Sequence, residues 1–246
     1  MKKVIIHGRN FEKIDSNVAC IGYFDGLHRG HRALINRTIE LAGKKNLKSA
    51  LICFEPDPQD IINSRRNKHL LSYEERIRMI EDIGIEQLIV IEFDEMLMNM
   101  TPEDFIDEYL NRFNIDTLIC GFDFTFGHKG KGNSGLLKEK GNFILEIIEE
   151  VKCYGKKISS TRIKEALNKG DFSLVDRLLG FDYCLILKAE ECKKKGSDYL
   201  VQASLYNNDC IMPKDGDYED FFIADGKAYI ISKTPINRNG KIYLEI

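Results

Sequence analysis

The sequence predicts an α/β domain with a doubly wound, Rossmann-like parallel sheet and a small C-terminal all-β appendage. Between residues 18 and 148, short apolar runs alternate with helical patterns, which is typical of a parallel sheet flanked by helices. The runs are mostly continuous, as in strands that are buried on both faces. Beyond residue 183, strand-like runs follow one another with turn residues between them, which indicates antiparallel β structure.

Five apolar runs are the predicted strands of the parallel sheet. They cover residues 18–24, 50–54, 88–93, 117–122 and 143–148. A helix is predicted over 32–45, because the apolar residues in this stretch recur at helical spacing. These are Leu34, Ile35, Ile39 and Ala42. Ligands of such sheets bind at the carboxyl ends of the strands, near the point where the strand order reverses.

Other helices are predicted from the residues at their ends. Ser72 and Glu75 fit a capping box at a helix start. Gly170 and Gly180 each follow a short helical pattern and indicate helix C-termini. We place the α/β domain at 1–182 and the β-rich appendage at 183–246.

Composition excludes several classes of protein. The 246 residues are 43% apolar and 30% charged with a net charge of −3, so overall charge gives no reason to expect nucleic-acid binding. No apolar run approaches the roughly eighteen residues of a membrane span, and the N-terminus does not resemble a signal peptide. Seven cysteines without a C-x-x-C pair favour a reducing, cytoplasmic location over a disulfide framework or a zinc site.

Two histidines stand where the first long strand meets its helix. His28 and His31 lie in the run Gly22-Tyr23-Phe24-Asp25-Gly26-Leu27-His28-Arg29-Gly30-His31. A helix start offers free backbone N–H groups and the positive end of the helix dipole. Histidines spaced i,i+3 share one face of the first turn, and Gly30 leaves room for a ligand. We therefore predict a phosphate site, ahead of a metal half-site, which would need further ligands, and ahead of structural coincidence.

This run resembles the H-x-G-H motif of the nucleotidyltransferase superfamily. The longer string G-Y-F-D-G-L-H-R-G-H is similar to the form found in bacterial FAD synthetases, which are bifunctional riboflavin kinase/FMN adenylyltransferases. The resemblance implies that His28 and His31 are catalytic and that ATP contacts further residues of the run. These are Gly22, Phe24, Asp25, Gly26 and Gly30.

Two more segments resemble loops of the same family. Phe54-Glu55-Pro56-Asp57-Pro58 is similar to the family loop F-x-P-H-P, with Asp57 in the place of histidine. Gly121-Phe122-Asp123-Phe124-Thr125-Phe126-Gly127 matches G-x-D/N-F-x-F-G, and the loop 128–135 after it is predicted to cover phosphates. The resemblance implies nucleotide binding by Asp123. It implies flavin binding by Phe54, Pro56, Asp57, Pro58, Phe124 and Phe126.

The last motif is Ile158-Ser159-Ser160-Thr161-Arg162-Ile163-Lys164, which resembles the superfamily motif I-S-S-T-x-x-R. Two serines and a threonine at a helix start are first of all caps. The resemblance implies that Ser159, Ser160, Thr161 and Arg162 also bind ATP and that Lys164 is catalytic. Lys164 stands where the motif has arginine, so it keeps the charge and loses the bidentate geometry.

Taken together, the resemblance implies an FMN adenylyltransferase. Such an enzyme uses ATP, Mg²⁺ and FMN, and its product is FAD. The riboflavin kinase sequence P-T-A-N is absent, and only 213–218 faintly resembles that barrel, so the appendage is predicted to be a kinase-inactive remnant. Two alternatives stay open: a related nucleotidyltransferase with a different acceptor, and a non-catalytic flavin- or nucleotide-binding protein.

Overall fold

The computed structural model describes residues 1–195, 198–205, 210–211, 220–224, 227–231 and 243–244. The chain divides into two compact units, each assembled from three stretches of sequence. Unit 1 contains residues 1–24, 30–67 and 73–151, and unit 2 contains residues 25–29, 68–72 and 152–246.

Unit 1 holds a six-stranded sheet. Its strands are β1 (Lys2–Ile6), β2 (Asn17–Ile21), β3 (Lys48–Glu55), β4 (Gln87–Glu92), β5 (Ile115–Gly121) and β6 (Ile144–Ile148). They are ordered β1-β4-β3-β2-β5-β6, and every pair is parallel. The predicted doubly wound α/β fold is confirmed, and the strand order reverses between β2 and β5.

Burial explains which strands the sequence predicts. β2 is buried at every position, and β4 at every position but its last, so both read as continuous apolar runs. β1 is not predicted. It lies at the edge of the sheet with Lys2 and Lys3 exposed and Ile5 49% exposed, and five residues with one solvated face give a weak pattern.

Helices connect the strands. They are α1 (Arg29–Lys45), α2 (Pro58–Asn63), α3 (Tyr73–Ile83), α4 (Glu95–Met98), α5 (Pro102–Glu108) and α6 (Ser134–Lys140). Phe105 of α5 belongs to an aromatic core. Its ring contacts those of Tyr109 and Phe126, with ring centroids 5.6 Å apart in each pair. No helix in the described part of the chain is both long and apolar enough to cross a membrane.

The last stretch of unit 2, from residue 152 onward, contains a hairpin, two helices and a second sheet. The first elements are β7 (Lys152–Cys153), β8 (Lys156–Lys157), α7 (Ser160–Lys169) and α8 (Phe172–Leu179). Gly170 and Gly180 end the two helices in left-handed conformations, with φ of 73° and 85°, which confirms the two predicted C-termini.

The second sheet is antiparallel, as the sequence predicts. It contains β9 (Cys184–Lys195), β10 (Asp198–Leu205), β11 (Asp220–Ala224), β12 (Lys227–Ile231) and β13 (Tyr243–Leu244), ordered β11-β12-β9-β10-β13. The predicted domain boundary at 182–183 falls inside unit 2, just before β9, and stays a prediction. Residues 213–218 lie outside the described residues.

Candidate active site

The reversal of strand order places the ends of β2 and β5 side by side in unit 1. Gly22 continues β2, and its N–H donates to the carbonyl of Ile52 at 3.1 Å. A Cβ at Gly22 would lie 3.3 Å from the Phe24 ring, so glycine permits the ring to fold back there. Asp123 follows β5 and is exposed. Two predicted nucleotide contacts therefore sit at the edge of the sheet where ligands of this architecture bind.

The turn that leaves β2 is strained. Phe24 has φ of 64° and Leu27 has φ of 44°, and both side chains are buried. Such values are genuine outliers for bulky residues and concentrate at functional sites. Gly26 has φ of 79°, and within unit 2 a Cβ added to it would lie 2.5 Å from Leu70 Cδ1. Gly26 therefore cannot be replaced without moving that contact.

His31 lies in the first turn of α1 and faces the ring of Phe24. Their ring centroids are 5.2 Å apart, with the planes at 60°, which is an edge-to-face contact. This contact lies within unit 1 and fixes the orientation of the imidazole. Gly30 is half-buried and also lies in the first helical turn. The helix start therefore has the composition predicted for an anion site.

Arg76 joins the ends of β2 and β3. Its side chain is 4% exposed and pairs with Glu55 Oε2 at 2.9 Å, and a second nitrogen donates to the Tyr23 carbonyl at 3.2 Å. The guanidinium also lies 4.5 Å from the centre of the Tyr23 ring. A buried cation with these partners holds two strand ends in place.

Unit 1 also contains a cavity of about 640 Å³. This volume lies within the range of small-molecule sites, which are mostly apolar with a few polar groups. Its apolar lining is mainly aromatic and is supplied by Phe54, Phe93, Phe105, Phe124, Phe126, Pro58, Ile62, Leu97 and Met98. Its polar lining includes Gln59, Asn99, Thr125, His128 and Lys129.

Four of the six predicted flavin contacts line this cavity: Phe54, Pro58, Phe124 and Phe126. Phe124 and Phe126 stack with ring centroids 5.7 Å apart and planes at 17°. The sequence misses Phe93 and Phe105. Phe93 could have been found as the residue that ends a predicted strand, whereas Phe105 reads as an ordinary core position of a helix.

Pro56 and Asp57 do not line the cavity. Asp57 is the N-cap of α2, and its carboxylate accepts a hydrogen bond from the Gln59 N–H at 2.9 Å. The aspartate that departs from the family loop therefore has a local structural role, since α2 supplies Pro58, Gln59 and Ile62 to the lining.

The loop after β5 closes on itself beside the cavity. Phe126 and Gly132 form an antiparallel bridge, with N–H to carbonyl distances of 3.3 and 2.9 Å. A Cβ at Gly132 would lie 2.7 Å from the Phe126 ring, so the bridge requires glycine there. Lys129 lines the cavity from this loop with φ of 56°. The predicted phosphate-covering role of 128–135 stays a prediction.

His28 belongs to unit 2 and is 6% exposed. Burial lowers the pKa of its imidazole to about 4, with the charge of Asp25 opposing this shift and that of Lys157 adding to it. His28 is therefore neutral at pH 7. It can donate one hydrogen bond to a phosphate and brings no positive charge.

Asp25 is the centre of a bonded network inside unit 2. One carboxylate oxygen accepts from the Leu70 N–H at 2.8 Å, and the other pairs with Lys164 Nζ at 2.8 Å. The Asp25 carbonyl accepts from the Ser160 hydroxyl at 2.9 Å. Lys164 Nζ also donates to the Lys68 carbonyl at 2.6 Å. The predicted catalytic lysine therefore has two partners within its own unit.

The other residues of the last motif begin α7. Ser159 is the N-cap, and its hydroxyl accepts from the Arg162 N–H at 3.3 Å, so the capping interpretation is confirmed. Thr161 is exposed in the first turn. Arg162 donates to three backbone carbonyls, those of Cys153, Lys156 and Lys157, at 3.0, 3.0 and 3.2 Å. ATP binding by these residues stays a prediction.

The chain is similar to a known family and to curated relatives. The FAD synthetase family model matches residues 11–162. Among bifunctional riboflavin kinase/FMN adenylyltransferases, the Listeria monocytogenes protein is 29% identical over 94% of this chain and 76% of its own length. The Bacillus subtilis protein is 32% identical over 89% and 71%. The protein from Buchnera aphidicola subsp. Schizaphis graminum is 37% identical over 72% and 59%.

A solved structure is also similar. The crystal structure of a macrolide-efflux protein from Streptococcus pneumoniae matches with a TM-score of 0.79 and 24% identity, over 98% of this chain and 86% of that chain. At this identity the match supports the fold alone. The family model covers more than half of the sequence, and the strand order, the H-x-G-H turn and the N-cap of α7 accord with the motifs predicted for that family. The chain belongs to the FAD synthetase family.

Proposed function

We propose that the protein is an FMN adenylyltransferase, which transfers AMP from ATP to FMN and so makes FAD. The observation that carries the proposal is the aromatic cavity of unit 1, in a chain that belongs to the FAD synthetase family. The relatives' names describe the same transfer together with riboflavin kinase activity.

The cavity suits a flat heteroaromatic ring. Stacked and edge-on phenylalanines offer faces and edges that attract such a ring. The polar groups of Gln59, Asn99, Thr125 and His128 can bond to carbonyl and N–H groups along one edge of it. Isoalloxazine combines an apolar dimethylbenzene end with a polar pyrimidine end, so it matches both parts of the lining.

The reaction needs little from side chains as acids or bases. An oxygen of the FMN phosphate attacks the α-phosphorus of ATP, the bond from that phosphorus to the bridging oxygen breaks, and pyrophosphate leaves. The attacking group is already an anion. Catalysis then rests on positioning and on neutralising the charge that develops on the phosphates.

We assign the nucleotide to the residues predicted from the motifs. In unit 1, His31 is proposed to donate to a phosphate of the nucleotide. In unit 2, the proposed phosphate donors are neutral His28 and the N–H groups of Ser160 and Thr161 at the N-terminus of α7. Mg²⁺ is proposed only as the ion that accompanies ATP. The Asp25 carboxylate is buried and its charge is paired with Lys164 within unit 2, so we do not assign it as a ligand of the ion.

Loss of riboflavin kinase activity is a further part of the proposal. Its support is the sequence, which lacks P-T-A-N. We also propose a cytoplasmic location, supported by the cysteine content without a C-x-x-C pair.

The test is to incubate the protein with ATP and Mg²⁺ and either FMN or riboflavin, and to separate the flavins by chromatography. We expect FAD from FMN and no FMN or FAD from riboflavin. FMN formed from riboflavin would contradict the loss of kinase activity. Tight FMN binding without FAD would instead support a non-catalytic flavin-binding protein, and consumption of ATP only with another acceptor would identify a related transferase.

A further inference from the structure

His128 lies in the lining of the unit 1 cavity, and the backbone around it fixes its position. Its own N–H donates to the Met100 carbonyl at 2.7 Å. Gly127, with φ of 70°, lies so close to α5 that a Cβ there would be 2.8 Å from Pro102 Cα. The antiparallel bridge closes the loop on its other side. Residue 128 therefore has little freedom to move away from the cavity wall.

The imidazole of His128 has one nitrogen engaged and one left over. Nδ1 lies 3.4 Å from the Met98 carbonyl. Because a carbonyl oxygen can only accept, Nδ1 carries the proton of this hydrogen bond. In the neutral ring, Nε2 then holds a lone pair, and it has no hydrogen-bond partner in the part of the chain that the structure describes. The remaining hydrogen-bonding capacity of this ring is therefore one acceptor.

The other polar side chains of the lining lack this property. The amides of Gln59 and Asn99 and the hydroxyl of Thr125 each combine donors with an acceptor, and Lys129 has donors only. A neutral His128 that is held by the Met98 carbonyl complements an N–H group of a ligand and repels a second lone pair. His128 can therefore select which edge of a flat ligand faces this part of the wall.

We propose that His128 is a specificity-determining residue, whose Nε2 accepts a hydrogen bond from the imide N–H of the isoalloxazine ring. The inference rests on the proposed function for the identity of the ligand. The oxidised ring system carries one N–H, at N3, between two carbonyl groups, and its other unsubstituted heteroatoms are acceptors. One fixed acceptor in the wall is therefore enough to set the orientation of the ring in the cavity.

The first test compares the binding of FMN and of its N3-methyl derivative to the full chain. Flavin fluorescence is measured at pH 8, where an ordinary imidazole is neutral. The wild type should bind the methylated flavin about tenfold or more weakly, as expected for a lost hydrogen bond that leaves an acceptor unpaired. His128→Asn keeps an N–H for the Met98 carbonyl and lacks the distal acceptor, so it should bind the two flavins within about twofold. Equal binding of both flavins by the wild type, or undiminished discrimination in His128→Asn, would overturn the proposal.

Two further variants separate recognition of the ligand from support of the loop. His128→Gln places an amide oxygen near the position of Nε2 and should restore most of the preference for FMN. His7→Asn changes an exposed histidine outside the cavity lining and should bind both flavins like the wild type. A preference that survives in His128→Asn and is lost in His128→Gln would assign the effect to the bond with Met98 and overturn the proposal.

The second test needs no ligand. Nitrogen NMR of the isotope-labelled protein at pH 8 should show the ring proton of His128 on Nδ1, with His128→Asn identifying the signals. Addition of FMN should shift the Nε2 signal in the direction of a lone pair that accepts a hydrogen bond, and the N3-methyl derivative should not. A ring proton on Nε2 in the free protein would overturn the assignment of the acceptor.

The two proposals fail in different ways. If the wild type makes FAD and binds both flavins equally, the inference about His128 is wrong and the proposed function stands. If the wild type makes no FAD while its preference for FMN over the methylated flavin depends on His128, the proposed function is wrong and the role of His128 in flavin recognition stands. A wild type that binds no FMN would overturn both.

Discussion

The protonation state of His28 is set by its burial. An imidazole with a pKa of about 4 is neutral wherever the protein works near pH 7, so His28 acts as a hydrogen-bond donor or acceptor. The same burial makes folding sensitive to acid, because the unfolded chain takes up a proton that the folded chain resists. The neutral state of His28 near pH 7 and the acid sensitivity of folding therefore have the same cause, the burial of one imidazole in residues 25–29 of unit 2.

The stability of the protein is predicted to fall as the pH drops below about 6.5. The pKa of His28 is lower in the folded state than in the unfolded state. The free energy of unfolding therefore decreases as the pH falls from the unfolded pKa to the folded pKa, and it stays lower below that. At pH 5, the contribution of His28 should be a loss of about 2 kcal/mol. Denaturant unfolding should be measured at pH 7.5 and pH 5.0. The decrease in the free energy of unfolding between these pH values should be smaller in His28→Gln than in the wild type by this amount. An equal loss in the two proteins would contradict the assignment.

His31→Ala is predicted to lower the rate of FAD formation by two or more orders of magnitude. Loss of a preorganised donor to developing charge has effects of this size. The variant should keep a melting temperature close to that of the wild type, because His31 is only half-buried. A rate of FAD formation near that of the wild type would contradict the proposed catalytic role of His31. A large drop in melting temperature would assign the loss to folding instead.

At the scale of elements, α2 connects a capping residue to the cavity. None of its residues is buried, so its stability depends on its ends more than on packing. Asp57 caps the start, and Ser64 ends the helix in a left-handed conformation with φ of 49°. Three residues of this short helix line the cavity. Loss of the cap should therefore weaken the binding of a flavin in the cavity.

Asp57→Ala is predicted to weaken FMN binding through the loss of the cap of α2. Loss of a side-chain cap costs about 1 kcal/mol, and the helix it removes supplies one wall of the cavity. Asp57→Asn keeps an acceptor oxygen and is the matched control, with expected affinity near that of the wild type. FMN affinity can be measured by flavin fluorescence. Equal weakening in both variants would point to the charge of Asp57 rather than to its capping bond.

The elements differ in how well the sequence predicts them. Strands that are buried on both faces, such as β2 and β4, can be predicted directly from continuous apolar runs in the sequence. Edge strand β1 cannot, because three of its five residues are exposed. The last residues of helices α7 and α8 are predicted because a left-handed residue favours glycine.

The site is predicted only where it lies within a contiguous motif. The H-x-G-H turn and the start of α7 are found from their own residues. The partners of Arg76 and Lys164 are not, because they lie in parts of the sequence that only the fold brings near. The cavity wall at Phe105 is missed for the same reason.

At the scale of the whole molecule, unit 2 depends on two short stretches from within the sequence of unit 1. Residues 25–29 supply Asp25, and residues 68–72 supply the carbonyls of Lys68 and Leu70. The hydroxyl of Tyr183 donates to the Leu70 carbonyl at 3.1 Å. Tyr183 is the first residue after the predicted α/β domain of 1–182, and in the structure it belongs to unit 2.

A fragment of residues 1–151 is predicted to be less stable than a fragment of residues 1–183. The shorter fragment leaves Asp25 without Lys164 and the Ser160 hydroxyl, and loss of the partner of a buried charge costs roughly 3 kcal/mol or more. Denaturant unfolding of both fragments checks this. Equal stability would show that the Asp25 network is not needed for folding. Tyr183→Phe in the longer fragment would report the contribution of the hydroxyl bond alone, because the substitution keeps the buried ring and the backbone.

The interleaving of the two units also limits how the gene can change. The chain passes between them five times, at 24/25, 29/30, 67/68, 72/73 and 151/152. A single crossover between the codons of Asp25 and Lys164 would therefore join part of one parent's unit 2 to the remainder of the other's. Asp25 would be inherited with the upstream half and Lys164 with the downstream half. The two units are thus expected to diverge together, by point substitutions that keep the buried pair matched, rather than by exchange of whole modules.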